Sequence, residues 1–315
     1  MMGNRIVKMV IQWLAAFSIL MLLLLLPREM EIESGPSGEF VAAHYEYSIS
    51  AHAESIQQFL TPLLSGEGLG TDRYDRPFFD HAWEMMQRSL WLVVPAFFIS
   101  IFFGIAKGVF DFQTRNRKRR IAGLHTTWLG LSVPDLVFII VIQMILMYLN
   151  IKGIVTGLSL YGAGSPEAVV MNVIYLSIFP MFYLANVTFS ALSDENGAEY
   201  IRTARAKGIP SFKLLYVHML KNGLAKIFVH TNTVVLYLLS NLFVIEYLTQ
   251  YRGAAYYFKE YITASSKIYD GQSLMLQTGA IASFTFFFTV LILLAGLISQ
   301  VARGFLLPHE RGGRS

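Results

Sequence analysis

The sequence predicts an all-α integral membrane protein with about six transmembrane helices. Hydrophobic residues make up 54% of its 315 residues and charged residues only 15%, whereas an ordinary soluble domain is about 25% charged. The mean hydropathy is +0.49, and the apolar residues are gathered into long blocks. These observations exclude a disordered chain, a collagen-like chain and a typical water-soluble enzyme.

Six apolar stretches are long enough to cross a bilayer. A helix rises about 1.5 Å per residue, so about 20 apolar residues span roughly 30 Å of hydrocarbon. Because backbone groups inside lipid must pair within the protein, each stretch is expected to be helical. Only the third stretch carries a charge, Asp135. The six stretches are 9–26, 89–106, 121–151, 168–193, 227–245 and 271–302.

The first stretch allows a second interpretation. Arg5 and Lys8 precede its apolar run, as they would in a cleavable signal peptide. The run is long for a signal peptide, however, and no A-x-A-like site follows it. An N-terminal transmembrane helix over residues 1–27 is therefore favoured.

Positive charges indicate the orientation. With the N-terminus inside the cell, 17 of the 25 Lys and Arg residues lie in cytoplasmic segments and 8 lie outside. Cytoplasmic loops are enriched in Lys and Arg, so both termini, including the tail 303–315, are expected in the cytoplasm. The run RNRKRR at 115–120 could also suggest nucleic-acid binding. A short, positive inner loop explains it more simply, so no nucleic-acid partner is expected.

The longest loop, residues 28–85, is then extracytoplasmic. Its apolar residues recur at helical spacing, which predicts a short amphipathic helix on the membrane surface. Those residues are Ile56, Phe59, Leu60, Leu63 and Leu64. A second short helix is predicted to begin near Pro77, because proline is tolerated in the first turn of a helix.

The inner loop 193–224 has the pattern helix, glycine, helix. Acidic residues, among them Glu199, crowd the start of the first helix, where the helix dipole favours negative charge. Gly208 follows Lys207 and is predicted to end that helix in the left-handed conformation. Pro210 can then open a second helix with an apolar stripe.

The stretch EYIRTARAKGIPSFKLLYVHMLKNGL (199–224) resembles the coupling loop of permease subunits of ABC importers, and most of all the dipeptide, oligopeptide and nickel subgroup. The resemblance rests on seven consecutive residues, RTARAKG, followed by His218, Leu220 and Asn222 at matching offsets. GLSVP (130–134) and the run into the second span (69–92) are also similar to that family. The resemblance implies a five-helix type I permease core over 86–302, preceded by the N-terminal helix and the long outer loop.

The resemblance also implies the function of a permease. The chain would form the path for a solute by alternating access, driven by two separate cytoplasmic ATPase subunits. A second homologous permease, an extracytoplasmic solute-binding protein and membrane lipid would be its other partners, in the inner membrane of a bacterial cell. The residues implied to couple to the ATPases are Glu199, Arg202, Thr203, Ala204, Arg205, Ala206, Lys207, Gly208, His218, Leu220, Lys221 and Asn222. The helix that carries them is expected to expose its cations and a row of alanines to the ATPase.

No catalytic residue, metal site or cofactor is predicted. The chain has no cysteine and no G-x-x-x-x-G-K-[ST] loop to hold ATP phosphates. An intramembrane enzyme is the competing class, and it would need converging acid, base or metal ligands at span depth. Asp135 and His230 are the titratable side chains well inside the spans and are suspects on that ground, although Asp135 could simply satisfy amides freed by Pro134. A passive membrane scaffold is a third class, and it would not require the coupling-loop pattern.

Polar residues inside the spans are candidates for the solute path. They are Asp135, Asn232, Ser240 and Asn241. The same residue types also join helices to one another in lipid, so the assignment is open. The subgroup implies di- or oligopeptides as the solute, with nickel or a metal chelate as the alternative. The outer segments depart from the family pattern, as in PREMEIE after the first span, and this leaves the substrate undecided.

Overall fold

The computed structural model describes residues 2–27, 31–34, 40–44, 47–72, 74–115, 123–155, 162, 164–264 and 277–306. Helices dominate this part of the chain. In order, the elements are α1 (Met2–Leu24), β1 (Glu31–Ser34), β2 (Phe40–His44), α2 (Ile49–Ser65), α3 (Phe78–Thr114), α4 (Leu124–Ser132), α5 (Asp135–Ile151), α6 (Pro166–Gly197), α7 (Glu199–Ala206), α8 (Ser211–Lys213), a π-helical segment (Leu214–Leu220), α9 (Lys221–Val229), α10 (Thr231–Leu248), α11 (Ala254–Ala264) and α12 (Thr278–Leu306).

Five helices are individually long and apolar enough to cross a membrane, which confirms the predicted fold class. They are α1, α3, α6, α10 and α12. At 37 residues, α3 is about 55 Å long and extends well beyond a hydrocarbon core of about 30 Å. Its first residue follows Pro77 directly, as the sequence predicts.

The third predicted span is a bent pair of helices. The chain turns by 99° between α4 and α5, at Val133 and Pro134. Proline disfavours the helical conformation of the residue before it, and Val133 is accordingly extended. With the pair counted as one span, the total reaches the predicted six.

Residues 28–85 contain a short antiparallel ribbon, which the sequence pattern does not predict. Strands β1 and β2 pair with Glu31 opposite His44 and Ile32 opposite Ala43. The sequence between them, GPSGE, is rich in residues that turns favour. The predicted amphipathic helix is present as α2 and is longer than its apolar stripe.

The chain divides into two compact units. The first comprises residues 1–9, 89–252 and 291–315, and α6 packs there against α4, α9 and α10. Glycines bring α3 unusually close to α6. A Cβ on Gly108 would lie 2.5 Å from the Ala185 carbonyl oxygen, and one on Gly104 would lie 2.7 Å from the Leu184 Cβ. This G-x-x-x-G pair therefore sets the contact between the two helices.

The second unit comprises residues 10–88 and 253–290. Phe284 of α12 is fully buried, and its ring lies 6.0 Å from that of Tyr261 and 6.4 Å from those of Phe258 and His81. A cavity of about 710 Å³ in this unit is lined by the C-terminal end of α1, by α2, by residues 67–70 and by the start of α12.

Candidate coupling site

The segment 193–224 folds as two helical pieces joined at Gly208. Helix α6 ends at Gly197, α7 is a separate helix of eight residues, and helical structure resumes at Ser211. Glu199 lies in the first turn of α7 and Arg205 in its last turn, so both charges favour the helix dipole. The predicted order of helix, glycine and helix is therefore present.

Gly208 ends α7 in the left-handed conformation that the sequence predicts, with φ of +78°. Its amide donates to the Arg205 carbonyl at 3.0 Å, and the Ile209 amide donates to the Ala204 carbonyl at 3.2 Å. These two bonds form a Schellman motif, which satisfies carbonyls that the helix end would leave unpaired. The direction in which the chain leaves α7 is thus set by backbone geometry.

A buried apolar cluster lies beneath the segment. Ile201 is the one residue of α7 that is buried, at 0% exposure. The other buried members come from α3, α6 and the π-helical segment: Val109, Phe112, Leu192, Leu214, Leu215 and Met219. Ala204 and Leu220, both in the predicted coupling set, pack against the edge of the cluster. Ala204 is therefore directed partly toward its own subunit. It is less available for contact with an ATPase than the predicted exposed row of alanines would suggest.

The second helical piece includes a π-helix, which is a departure from the predicted α-helix. Residues Leu214–Leu220 have π-helical geometry between α8 and α9. Hydrogen bonds in a π-helix run from i to i+5, so Leu214 and Met219 lie on one side, and both are buried in the cluster. His218 is half-buried, and its Nε2 has no hydrogen-bond partner among the described residues.

Polar contacts hold the start of α7 to the end of α6. The Tyr200 hydroxyl donates to the Glu195 carboxylate and accepts from the Asn222 amide at 3.0 Å. Lys226 pairs with Glu195 at 3.2 Å. Burial and the bond to Glu195 raise the pKa of Tyr200 above its ordinary value. Asn222 belongs to the predicted set, whereas Tyr200 and Glu195 do not; Tyr200 lies within the stretch 199–224 but outside the run RTARAKG.

The remaining predicted coupling residues present a positive surface. All of the following are exposed: Glu199, Arg202, Thr203, Arg205, Ala206, Lys207, Gly208 and Lys221. Arg115, which follows α3, stacks 3.7 Å from the ring centre of the cluster residue Phe112. Burial and the nearby charge of Arg205 lower the pKa of Arg115. Cations from two parts of the chain therefore meet at this end of the first unit.

A buried charge network lies beside the cluster. Lys107 of α3 donates to the Asp111 carboxylate, to the Gly123 carbonyl at 3.0 Å and to the Thr127 hydroxyl at 2.9 Å. The Thr127 hydroxyl donates to the second oxygen of Asp111, which is fully buried. These bonds tie the start of α4 to α3, one residue away from Phe112.

The predicted path residues are not grouped around one point. Asp135 is the first residue of α5, and its carboxylate accepts from the Leu136 amide at 2.9 Å, which fits the role of satisfying an amide beside Pro134. Ser240 is exposed, and Asn241 is buried. The Asn232 Oδ1 lies 3.9 Å from the Cβ position of Gly296 in α12. Within the described ranges, no group of three or more His, Cys, Asp or Glu residues is placed to hold a metal ion.

The chain is similar in sequence to known membrane permeases. The chain is 29% identical over 240 residues to the dipeptide transport system permease protein DppB of Bacillus subtilis, covering 73% of this chain and 72% of that protein. It is 28% identical over 148 residues to a putative peptide transport system permease protein of Brucella suis, covering 46% and 47%. It is 27% identical over 168 residues to the glutathione transport system permease protein GsiC of Salmonella choleraesuis, covering 53% of each.

A comparison with protein families covers most of the first unit and part of the second. Residues 97–311, well over half of the chain, match the family described as the binding-protein-dependent transport system inner membrane component. That range contains the bent pair, the segment 193–224 and the spans on both sides of it. Together with the helical membrane fold, the match shows that the chain belongs to the family of binding-protein-dependent inner membrane permeases, the non-catalytic transmembrane components of ABC importers.

Proposed function

We propose that this permease is one of two membrane subunits of a peptide importer and that segment 193–224 transmits ATP-driven motion to its spans. Two cytoplasmic ATPase subunits, a second permease and an extracytoplasmic binding protein complete the proposed assembly. The chain itself contributes the path and the coupling surface. Alternating access then proceeds by movement of packed helices around a central site.

The observation that carries the coupling role is the construction of α7. A helix of eight residues is too short to be stable alone, yet this one is seated by Ile201 on a buried cluster that includes α3 and α6 residues. Its exposed cations, among them Arg202 and Lys207, are left for a partner. A push on α7 would therefore reach two spans directly.

The docking test uses charge reversal. The double variant Arg202→Glu with Lys207→Glu should fail to co-purify with ATPase subunits, while its own level in the membrane stays normal. Lys152→Glu is the matched control, since Lys152 is exposed and lies on the predicted outer side. Retention of the ATPases by the double variant would contradict the proposed docking surface.

The proposed orientation places both termini and segment 193–224 in the cytoplasm. The chain has no cysteine, so single cysteines can be introduced cleanly. Gln57→Cys in α2 should react with a membrane-impermeant thiol reagent on intact cells. Ser211→Cys should react only after the membrane is permeabilised. Both positions are exposed, and labelling of position 211 from outside would reverse the orientation.

Peptides are the proposed solute because the proteins similar to this chain include permeases described as transporting dipeptides, peptides and glutathione, itself a tripeptide. The test is uptake by the complete importer in proteoliposomes. Labelled di- and tripeptides should accumulate with ATP and the binding protein, and unlabelled peptide should compete. Nickel ions or a nickel chelate provide the second arm. Accumulation of nickel without peptide uptake would replace the peptide assignment.

A further inference from the structure

Helices α6 and α10 bring together a strip of hydroxyl groups and one imidazole. The strip consists of Tyr183, His230, Thr233, Tyr237 and Ser240. Thr233, Tyr237 and Ser240 follow one another at i, i+4 and i+7, so they share one face of α10. Tyr183 of α6 lies against this face, its ring 5.2 Å from that of Tyr237.

Specific contacts join the two helices at the strip. The Tyr183 hydroxyl and the His230 Nδ1 are 2.7 Å apart. Phe179, one turn before Tyr183, packs its ring 4.8 Å from that of Tyr237. The opposite face of α10 carries the buried residues Val234, Leu238 and Leu242, so the strip is the side of the helix that the first unit leaves partly uncovered.

Tyr183 and Ser240 place the strip near the middle of α6 and of α10, while His230 lies just before the start of α10. Tyr183 is within two residues of the midpoint of α6, or about 2–3 Å along the helix axis. His230 stands at the interruption between α9 and α10, with φ of −85° and ψ of 0°. Interrupted backbone at membrane depth is tolerated where it is buried in protein or lines a water-filled cavity.

The strip differs from the faces that suit lipid. Ser240 is exposed, and the other four members are half-buried. The exposed positions in the middle of α5 are apolar: Val137, Ile140, Val141, Met144 and Ile145. Hydroxyl and imidazole groups lose their water when they face hydrocarbon, which costs free energy. A lipid-facing role therefore suits α5 and does not suit the strip.

The chemistry of the strip favours peptide groups over charges. Hydroxyls both donate and accept hydrogen bonds, so they match the N–H and C=O of a peptide backbone. Aromatic rings beside them can cover apolar side chains. Between Lys226 and Glu246 the chain has no Asp, Glu, Lys or Arg, so α10 itself brings no fixed charge to the strip.

We propose that this hydroxyl strip lines the translocation path and binds the backbone amides of a peptide in extended form. The inference rests on the proposed peptide importer and specifies how that importer accepts many sequences. Ser240 is the one predicted path residue on the strip. Asn241, four residues after Tyr237, is buried at the edge of the strip. Tyr183, His230, Thr233 and Tyr237 are additions from the structure.

The first test measures access to Ser240 in the complete importer. Ser240→Cys should react with a small hydrophilic thiol reagent, and the transported peptide should slow that reaction at least several-fold. Met144→Cys on α5 is the matched control and should not react. Failure of position 240 to react would mean that it faces lipid or protein. Reaction only after removal of the second permease would mean that the strip is a subunit contact. Either result overturns the proposal.

The second test removes hydroxyls and solute amides in turn. Tyr183→Phe with Tyr237→Phe should lower peptide uptake about 30-fold, the loss expected for two neutral hydrogen bonds. Tyr148→Phe, with its side chain exposed on α5, is the control and should transport normally. A backbone N-methylated peptide should be imported poorly by the wild type and lose little more in the double variant, since the two changes remove the same bonds. Independent, additive losses would overturn backbone recognition.

The outcomes separate this inference from the proposed function. If the wild type imports peptide but Ser240→Cys is never protected, the peptide importer stands and the strip assignment fails. If the wild type imports no peptide, the proposed function fails, and the strip has no peptide to bind.

Discussion

Replacement of Ile201 by alanine should detach α7 while leaving the spans intact. Ile201 is fully buried and is the one buried side chain of α7. Truncating a buried isoleucine to alanine costs about 2–5 kcal/mol. Helix α7 has only eight residues, and such a helix is marginal without packing. Most of this cost should therefore appear as weaker packing of α7 against the buried cluster. Even the low end of this free-energy range lowers the ratio of packed to unpacked α7 about 30-fold.

The assay combines transport with local exchange. In the purified importer, Ile201→Ala should lose most solute uptake and accelerate hydrogen exchange of the α7 amides. Its level in the membrane should stay normal, because insertion depends on the spans. Ile201→Val is the conservative control, costing about 0.5–1.5 kcal/mol. Val217→Ala serves as a second control, since that side chain is 48% exposed.

One result would refute the reasoning. If Ile201→Ala imports solute at the wild-type rate and its α7 amides exchange no faster, the buried cluster does not hold α7. Force would then have to reach the spans through the polar contacts around Tyr200 instead.

Three further predictions follow from separate features. Gly208→Val should impair uptake, because a β-branched residue at positive φ costs about 1–2 kcal/mol. No neighbour lies within 4 Å of the added Cβ, so the cost is backbone strain alone. Gly208→Asn, which tolerates positive φ, should retain most of the uptake. Asp111→Asn leaves the half-buried Lys107 ammonium without its charged partner, and thermal unfolding of the importer should show a loss of about 1–3 kcal/mol. Burial acts to raise the pKa of Asp72, but hydrogen bonds from the Tyr74 and Arg76 amides prevail and lower it. The Asp72 carboxylate therefore stabilises this turn until it is protonated, and proteolysis near Tyr74 should increase only as the pH falls below about 4.

Each of these has an opposing outcome. Equal uptake by the valine and asparagine variants would show that the conformation of Gly208 does not matter for coupling. An unchanged melting curve for Asp111→Asn would mean that water already reaches the network. The direction of the pH effect follows from the pKa of Asp72, which is lower in the folded chain than in the unfolded chain. The Asp72 carboxylate therefore stabilises the turn at pH values above its unfolded pKa, and this stabilisation is lost as the carboxylate becomes protonated. Proteolysis that is independent of pH, or identical in Asp72→Asn, would remove Asp72 as the cause.

Local patterns were sufficient to predict the spans and the glycine stop. Apolar length determines where helices can cross, and the positive φ of Gly208 follows from its place after a short helix. The bend at Pro134 is a local effect as well, since proline restricts the residue before it, although apolar length alone predicts one continuous span there. These features depend on neighbours a few residues away, which a single sequence displays.

Features that depend on tertiary contacts were not predictable in the same way. The π-helix aligns Leu214 and Met219 with a cluster built from distant helices, and no local pattern specifies that alignment. The Tyr200 contact joins residues 195 and 222. The partial burial of Ala204 could have been anticipated, because it lies three residues after Ile201 and so shares its face.

The glycines of α3 have a mechanical consequence. With no side chain at Gly104 or Gly108, backbone and Cβ atoms of the two helices meet directly, and there are no flexible side chains between them to absorb displacement. Helices α3 and α6 should therefore move together as one rigid pair. A displacement of the cluster, which contacts both helices, would be transmitted along this pair with little loss. Deformation would occur instead at contacts made by longer side chains such as Met219.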